Sequence, residues 1–222
     1  MDSFALKKLI KNALAEDIGS GDITTDNLIE NHQMGEGVII AKEPLVLAGI
    51  DVVRQVFNYL DSDIQFNSAM TDGRKADSGD ILIKIQGRLA ALLKGERTAL
   101  NFLQRLSGIA THVASHVEEL QGKSVRLVDT RKTTPLWRDL EREAVRSGGG
   151  QSHRRDLAHM ILVKDNHVDA CGGVTEALQR VFGSPRPRRR VIVEARTLSE
   201  LREALAFPID VVLLDNMSRR QI

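Results

Sequence analysis

The sequence predicts an α/β protein, because two different hydrophobic patterns follow one another along its 222 residues. Up to Gly122, short runs of branched residues bounded by Gly, Asp or Pro lie between two helical stretches, which is typical of a mixed α+β unit. After Gly122, continuous apolar runs alternate with helical stretches, as expected for parallel strands that are buried on both faces. We therefore expect a mixed amino-terminal part followed by repeated strand–helix units.

The first part begins with a predicted helix over residues 4–14, whose apolar side chains form one stripe. A Gly-Ser-Gly run at residues 19–21 is expected to end it. Three predicted strands follow at residues 37–41, 46–48 and 81–85. A second helix is predicted over residues 90–120, with an interruption near Ser107 and Gly108.

The second part contains four predicted strands, at residues 125–129, 160–164, 191–194 and 211–215. Each strand ends in a charged residue, namely Asp129, Lys164, Glu194 and Asp215. Functional groups gather at the carboxyl ends of parallel strands, so these residues predict a shared site at one face of a barrel or sheet. A closed eight-stranded barrel needs roughly 250 residues, whereas about 100 follow Gly122. We therefore expect an incomplete barrel.

The composition is that of a globular protein and excludes several functional classes. The 31 Lys and Arg residues nearly balance the 30 Asp and Glu residues, so no overall charge favours nucleic acid or a membrane surface. No apolar run approaches the roughly 20 residues of a membrane-spanning helix. Residues 1–4 lack the pattern of a signal peptide, and the single Cys171 cannot form an intramolecular disulfide. A cytoplasmic location fits best, with Cys171 as an incidental thiol rather than a nucleophile.

The densest candidate site is the run Asp-Thr-Arg-Lys-Thr-Thr-Pro at residues 129–135. Its adjacent cations Arg131 and Lys132, flanked by hydroxyl groups, suit a clamp for phosphate or carboxylate. A Gly-rich loop at residues 147–154 adds His153 and Arg154, and its three consecutive glycines would permit close approach of a ligand. We expect Lys164, at the next strand end, to project into the same site.

Glu194 and Asp215 could hold Mg²⁺ through their oxygens, or they could form ion pairs with the nearby cations. The sequence leaves both interpretations open. Arg97 is not required by the apolar stripe of its helix, so it is either a surface residue or a contact to a ligand or partner subunit. The basic segment at residues 182–190 is interpreted as a solvated turn, and the histidines show no spacing typical of a zinc site.

Together these motifs resemble the quinolinate phosphoribosyltransferase (nicotinate-nucleotide pyrophosphorylase) family. The order and spacing of the matching blocks agree from about residue 4 to the end of the sequence. The blocks lie at residues 16–24, 95–103, 106–111, 129–135, 148–154, 164–167 and 214–217. The resemblance implies an α/β sandwich domain over residues 1–115 and an open, TIM-like α/β barrel, here incomplete, over residues 116–222.

The resemblance also implies an activity and a set of site residues. Family members transfer the phosphoribosyl group of phosphoribosyl pyrophosphate to quinolinate in the presence of Mg²⁺, releasing pyrophosphate and CO₂ and forming nicotinate mononucleotide for NAD biosynthesis. By position, the cationic pocket for the substrate carboxylates and phosphates consists of Arg131, Lys132, His153, Arg154 and Lys164. Arg97 resembles the arginine that reaches the neighbouring subunit's site in a homodimer. Glu194 and Asp215 resemble the acidic pair facing the ribose and the metal, and with Lys132 they are the implied catalytic residues.

The sequence departs from the family pattern near the expected pocket. Leu136 and Trp137 stand where the family has Gly-Leu, Ser152 replaces Asn, Asp156 and His159 replace Gly and Asp, and Ile192 replaces a Glu. Two alternatives follow. One is the related molybdenum-transport-associated phosphoribosyltransferase-like protein, which shares residues 129–135 but is disfavoured by the Lys-Asp-Asn-His block at residues 164–167. The other is a truncated, non-catalytic homologue.

Overall fold

The computed structural model describes residues 3–185, 189–218 and 220–221 of the chain. The chain divides into two compact units, which we call unit 1 (up to His153) and unit 2 (from Arg154). The predicted division between residues 115 and 116 stays a prediction. Within the described ranges, no helix is at once long and apolar enough to cross a membrane.

Unit 1 combines a small antiparallel sheet with five helices. Its three-stranded sheet has the order β1-β5-β3, and β2 pairs with β4 in a separate two-stranded ladder. The elements are α1 (Ser3–Ile18), α2 (Ile23–Leu28), β1 (Met34–Ile40), β2 (Leu45–Val46), α3 (Ile50–Leu60), β3 (Gln65–Ser68), β4 (Lys75–Ala76), β5 (Ile81–Arg88), α4 (Leu89–Glu119) and α5 (Arg138–Ser147). The predicted first helix and three early strands are therefore present, whereas α2, α3 and α5 were not predicted.

The sheet of unit 1 covers one side of its core, and the sequence of β5 shows why. Ile83, Ile85 and Gly87 are buried, while Lys84 and Gln86 between them are exposed. This period of two places one face of the strand against the core and the other in solvent. The core beneath contains the fully buried rings of Phe57 on α3 and Phe102 on α4.

Helix α4 is continuous over 31 residues, so the predicted interruption near Ser107 and Gly108 is wrong. The Ser107 hydroxyl accepts from the amide of Ala48 at 3.1 Å and donates to its carbonyl at 3.2 Å. The serine therefore forms hydrogen bonds to a neighbouring segment instead of competing with the helix backbone. Arg97 lies inside α4.

The strand predicted at residues 125–129 is also wrong. These residues form only an isolated parallel bridge between Val128 and Gln151. The Asp129 amide donates to the Gln151 carbonyl at 2.9 Å, and the Gln151 amide donates to the Leu127 carbonyl at 2.8 Å. Val125 and Val128 are exposed in unit 1, so the apolar run lacks the burial on both faces that its composition indicated.

Unit 2 has the predicted repetition of strands and helices. Its parallel sheet has the order β6-β7-β8, with Val163 opposite Val193 and Val193 opposite Val212. The elements are β6 (Ile161–Val163), α6 (Asp165–Cys171), α7 (Val174–Gly183), β7 (Val191–Ala195), α8 (Leu198–Leu205) and β8 (Val211–Leu214). The basic segment predicted at residues 182–190 lies partly outside the described residues, since 186–188 are not described.

Two glycines of α4 provide a test of its continuity. A Cβ added at Gly108 would meet no atom within 4 Å, so Gly108→Ala should raise the free energy of unfolding by about 0.5–1 kcal/mol through helix propensity. A Cβ at Gly95 would lie 2.9 Å from ring carbons of Phe57, so Gly95→Ala should lower it by about 1–3 kcal/mol. Urea denaturation measures both, and destabilisation by Gly108→Ala would contradict a continuous helix.

The buried carboxylate of Asp61, at the end of α3, should make unit 1 sensitive to acid. It accepts a 2.8 Å hydrogen bond from Nε of Arg88 and a 3.1 Å bond from the Asp63 amide, and these lower the pKa of Asp61 to about 2. A carboxyl group whose pKa is lower in the folded state stabilises the fold above its unfolded pKa, near 3.8. This contribution is lost as the pH falls from about 4 to about 2.

We therefore expect Asp61→Asn to lower the melting temperature at pH 7, with a difference from the parent protein that shrinks as the pH falls below 4. Thermal denaturation between pH 7 and pH 2 measures this difference. Asp63→Asn, in the same turn but exposed, is the control and should change stability by less than about 0.5 kcal/mol. An equal difference at every pH would contradict the role of the Asp61 carboxylate.

Candidate active site

The loop at residues 129–135, which we call the cation loop, carries Arg131 and Lys132. Lys132 is exposed, and its amide donates to Oγ1 of Thr130 at 3.2 Å, which fixes a local turn. Arg131 is half-buried, and its Nε atom is buried with no hydrogen-bond acceptor among the described residues. Its guanidinium therefore retains hydrogen-bonding capacity that an anionic ligand or a water molecule could use.

Glu141 of α5 holds the far end of the cation loop. Its carboxylate accepts from the Thr134 amide at 3.2 Å and from the Thr134 hydroxyl at 2.7 Å. Arg105 of α4 donates to the same carboxylate at 3.2 Å. Glu141 is buried. Arg105 neutralises its negative charge, and Thr134 donates hydrogen bonds to its oxygens. The conformation of the loop thus depends on an acid that lies outside it.

The neighbouring residue of α5, Arg142, holds His153 together with Asp129. Asp129 Oδ1 accepts from the His153 amide at 2.6 Å, and Arg142 Nη2 donates to the His153 carbonyl at 3.1 Å. Arg142 Nε lies 3.4 Å from Asp129 Oδ2, an ion pair between two buried side chains. The backbone of His153 is therefore held on both sides by charged groups.

The three glycines before His153 allow close packing rather than close approach of a ligand. A Cβ at Gly148 would lie 2.4 Å from the carbonyl oxygen of Ala110 on α4, and one at Gly150 would lie 2.7 Å from Val145. Gly149 has φ +88°, a left-handed conformation that favours glycine. The Gly-rich loop is thus fitted tightly against α4 and α5, which brings His153 to Asp129 and Arg142.

Leu136, directly after the cation loop, has an unusual backbone. Its φ is +68° and its side chain is 83% exposed. The turn allows the next residue, Trp137, to stack on Phe102 with a centroid separation of 4.6 Å and an angle of 18°. A leucine in this left-handed region is strained, and glycine would not be.

In unit 2, the predicted residues lie at the carboxyl ends of neighbouring strands. Lys164 Nζ lies 3.5 Å from Glu194 Oε2, and the Glu194 side chain is only 16% exposed. Asp215 follows β8 and is exposed, and its amide donates to the Ala195 carbonyl at 3.0 Å. Parallel pairing of β7 and β8 therefore places both carboxylates at one edge of the sheet. Glu194 thus forms an ion pair with Lys164, and metal binding by Glu194 and Asp215 stays a prediction.

The remaining predicted residues are Arg97 and Arg154. Arg97 is exposed on α4, and its side chain makes no hydrogen bond or ion pair with any other described residue. Arg154 is buried. Arg105, Glu141 and Arg142 were not predicted from the sequence, because charges on an amphipathic helix usually indicate a solvated face. For Glu141 and Arg142 the only signal was their position on α5, between the cation loop and His153, and Arg105 on α4 gave none.

Among the described residues, no group of three or more His, Cys, Asp or Glu side chains could hold a metal ion. A cleft of about 780 Å³ in unit 2 is mostly apolar, and none of the predicted site residues lines it. Its lining includes Ile161, Val191 and Phe182, with Cys171 and Arg180 beside them. Cys171 is half-buried, with its sulfur 3.5 Å from a guanidinium nitrogen of Arg180.

The strain at Leu136 gives a stability prediction. Leu136→Gly should raise the free energy of unfolding by about 0.5–1 kcal/mol, because relief of a left-handed leucine exceeds the entropic cost of glycine. Little burial is lost, since the side chain is exposed. Leu157, also exposed but without positive φ, is the matched control, and Leu157→Gly should be destabilising. Chemical denaturation measures both; a loss of stability at both positions would contradict the strain.

Comparison with known proteins agrees with this fold. The model of the quinolinate phosphoribosyl transferase N-terminal domain matches residues 22–107, and that of the C-terminal domain matches residues 109–222. A crystal structure of NadC from Streptococcus pyogenes superposes with a TM-score of 0.92 at 40% identity, covering 100% of this chain and 78% of that one.

Two relatives show the same similarity in sequence. A probable nicotinate-nucleotide pyrophosphorylase (carboxylating) of Bacillus subtilis is 40% identical over 216 residues, which cover 97% of this chain and 74% of the relative. A protein of the same description from Methanocaldococcus jannaschii is 40% identical over 224 residues, covering 100% of this chain and 77% of the relative. The chain therefore belongs to the quinolinate phosphoribosyl transferase family.

Proposed function

We propose that the protein transfers the phosphoribosyl group of phosphoribosyl pyrophosphate to quinolinate and releases pyrophosphate and CO₂, forming nicotinate mononucleotide. Relatives described as nicotinate-nucleotide pyrophosphorylases and quinolinate phosphoribosyltransferases support this activity, as does membership of their family. The structural observation that carries the proposal is that one helix, α5, holds both the cation loop and His153. The related molybdenum-transport-associated protein is not favoured.

The substrates explain why the site needs so many cations. Quinolinate carries two carboxylates and the phosphoribosyl donor carries several more negative charges. At about 4 Å and an effective dielectric constant near 20, each opposite pair contributes roughly 4 kcal/mol before desolvation. We assign substrate binding to Arg131, Lys132, His153, Arg154 and Lys164.

The acidic pair would act at the ribose. When the ring nitrogen of quinolinate bonds to the ribose, the bond to pyrophosphate breaks and positive charge develops on the sugar. The carboxylates of Glu194 and Asp215 could stabilise that charge. Lys132, exposed in the cation loop, would neutralise the departing pyrophosphate. Loss of CO₂ then follows, because the positively charged ring nitrogen stabilises the electron pair left on the neighbouring carbon, and that carbon then takes up a proton from water.

We propose Mg²⁺ as the metal, held by Glu194 and Asp215. Their oxygens suit this cation, which usually keeps several waters and binds substrate phosphates alongside one or two carboxylates. Two carboxylates at one sheet edge fit that requirement. When bound, Mg²⁺ supplies positive charge that offsets the charge of the pyrophosphate group. The ion pair between Lys164 and Glu194 gives Lys164 a defined place at the same edge.

We also propose a cytoplasmic homodimer that binds neither nucleic acid nor membrane, in which Arg97 reaches the partner's site. The exposed position of Arg97 on α4, without an ion pair among the described residues, supports this arrangement. The planar guanidinium of such an arginine has donors available to bind a carboxylate or phosphate supplied from outside its own subunit.

The activity test is release of CO₂ from carboxyl-labelled quinolinate with phosphoribosyl pyrophosphate and Mg²⁺. The chain should be tested as it is and joined to the part of the Bacillus subtilis relative that its match does not cover. We expect turnover, and we expect Lys132→Ala to lower kcat/KM by at least about 100-fold. Lys123→Ala, an exposed lysine outside the site, should leave it unchanged.

The outcomes separate the remaining possibilities. Turnover only by the extended protein would assign the activity to the site together with the added segment. Folded protein that is silent in both forms would overturn the proposed activity and favour a non-catalytic homologue.

A further inference from the structure

We infer that Glu141 and Arg142 are positioning residues, which set the distance between the cation loop and His153 and thereby the preference for a substrate with two carboxylates. The inference rests on the proposed function, because it takes quinolinate as the substrate. Neither residue is expected to touch it. Both act through the backbone segments that carry the binding groups.

Glu141 makes the first of these positioning contacts, to Thr134 in the cation loop. Its carboxylate accepts both the amide and the hydroxyl hydrogen of Thr134, at 3.2 and 2.7 Å. Thr134 lies two residues after Lys132, so fixing its backbone limits where the cations of the loop can lie. Arg105, on α4, also donates a hydrogen bond to the Glu141 carboxylate, at 3.2 Å.

Arg142 and Asp129 make the second positioning contact, to the backbone of His153. Arg142 donates to the His153 carbonyl at 3.1 Å, while Asp129 accepts from the His153 amide at 2.6 Å. Asp129 is also the first residue of the cation loop. Arg142 and Asp129 thus connect the start of that loop to His153, and the ion pair of 3.4 Å between them keeps both side chains in place.

A purely structural role explains the buried charges less well. Stability alone does not require an acid and a base at adjacent buried positions of one helix, since apolar residues there would avoid the cost of desolvation. Both side chains point to backbone groups beside the predicted cations. Moreover, three buried polar atoms have no hydrogen-bond partner among the described residues, namely Arg142 Nη1, Asp129 Oδ2 and Arg131 Nε. Two unused donors and one unused acceptor therefore belong to the residues of this network.

The spacing matters because quinolinate is a rigid dicarboxylate. Its two carboxylates lie on adjacent ring carbons, so cations must stand at a fixed separation to bind both. Nicotinate and picolinate each retain only one of these carboxylates and do not require that separation. Loss of the hydrogen bonds from Glu141 or Arg142 should therefore weaken the binding of quinolinate more than the binding of nicotinate or picolinate. General loosening of the site would instead weaken the binding of all three ligands by a similar factor.

The experiment uses Glu141→Gln and Arg142→Lys, which keep size or charge but lose the observed hydrogen-bond geometry. Calorimetry gives the Kd of quinolinate, and competition against quinolinate gives those of nicotinate and picolinate. We expect the quinolinate Kd to rise about tenfold in each variant and the monocarboxylate values to change by less than about threefold. In turnover assays the KM for quinolinate should rise by a larger factor than the KM for phosphoribosyl pyrophosphate.

Glu143→Gln is the matched control, since Glu143 is an exposed acid on the same helix whose partner is Arg146. It should leave every Kd unchanged. Equal losses for all three ligands, or no loss for quinolinate in either folded variant, would overturn the positioning role alone. Failure of the parent protein to bind quinolinate would instead overturn the proposed function, and this inference with it.

Discussion

Burial of charge in unit 1 is the constraint on which the arrangement of the site depends. Asp129, Glu141 and Arg142 are all withdrawn from water, and a buried charge is costly unless it is paired and hydrogen-bonded. The partners available to them are Arg105, the backbone of His153 and the amide and hydroxyl of Thr134. These contacts fix the backbone at Thr134 and His153. The charges of Asp129, Glu141 and Arg142 therefore limit where the side chains of the cation loop and of His153 can lie.

Helix α4 provides the surface against which these loops are ordered. Trp137 stacks on Phe102, Gly148 packs against the carbonyl of Ala110, and Arg105 reaches Glu141. Because α4 is continuous, these contacts are spaced along a single rigid element rather than two hinged ones. The strained backbone at Leu136 is consistent with this arrangement, since local strain persists where the surrounding contacts outweigh it. Rigidity here favours a site whose groups are placed before a ligand arrives.

Sequence patterns predicted the parts of the fold that follow from periodicity. The run of branched residues in β5 and the continuous apolar runs of β7 and β8 correctly indicated strands, and these strands indicated an α/β fold class. The patterns failed where tertiary contacts override local preference. Residues 125–129 have the composition of a buried strand, yet they form a single bridge to Gln151. Ser107 and Gly108 resemble a break, yet the hydroxyl of Ser107 bonds to Ala48 and the helix continues.

The acids beside the predicted cations serve the site rather than neutralise it. Glu141 pairs with Arg105 and Asp129 pairs with Arg142, so neither acid pairs with Lys132, which is exposed. In unit 2, Glu194 pairs with Lys164 at 3.5 Å, too long for a strong hydrogen bond. A pair of this length leaves donors of the Lys164 ammonium available for a further hydrogen bond.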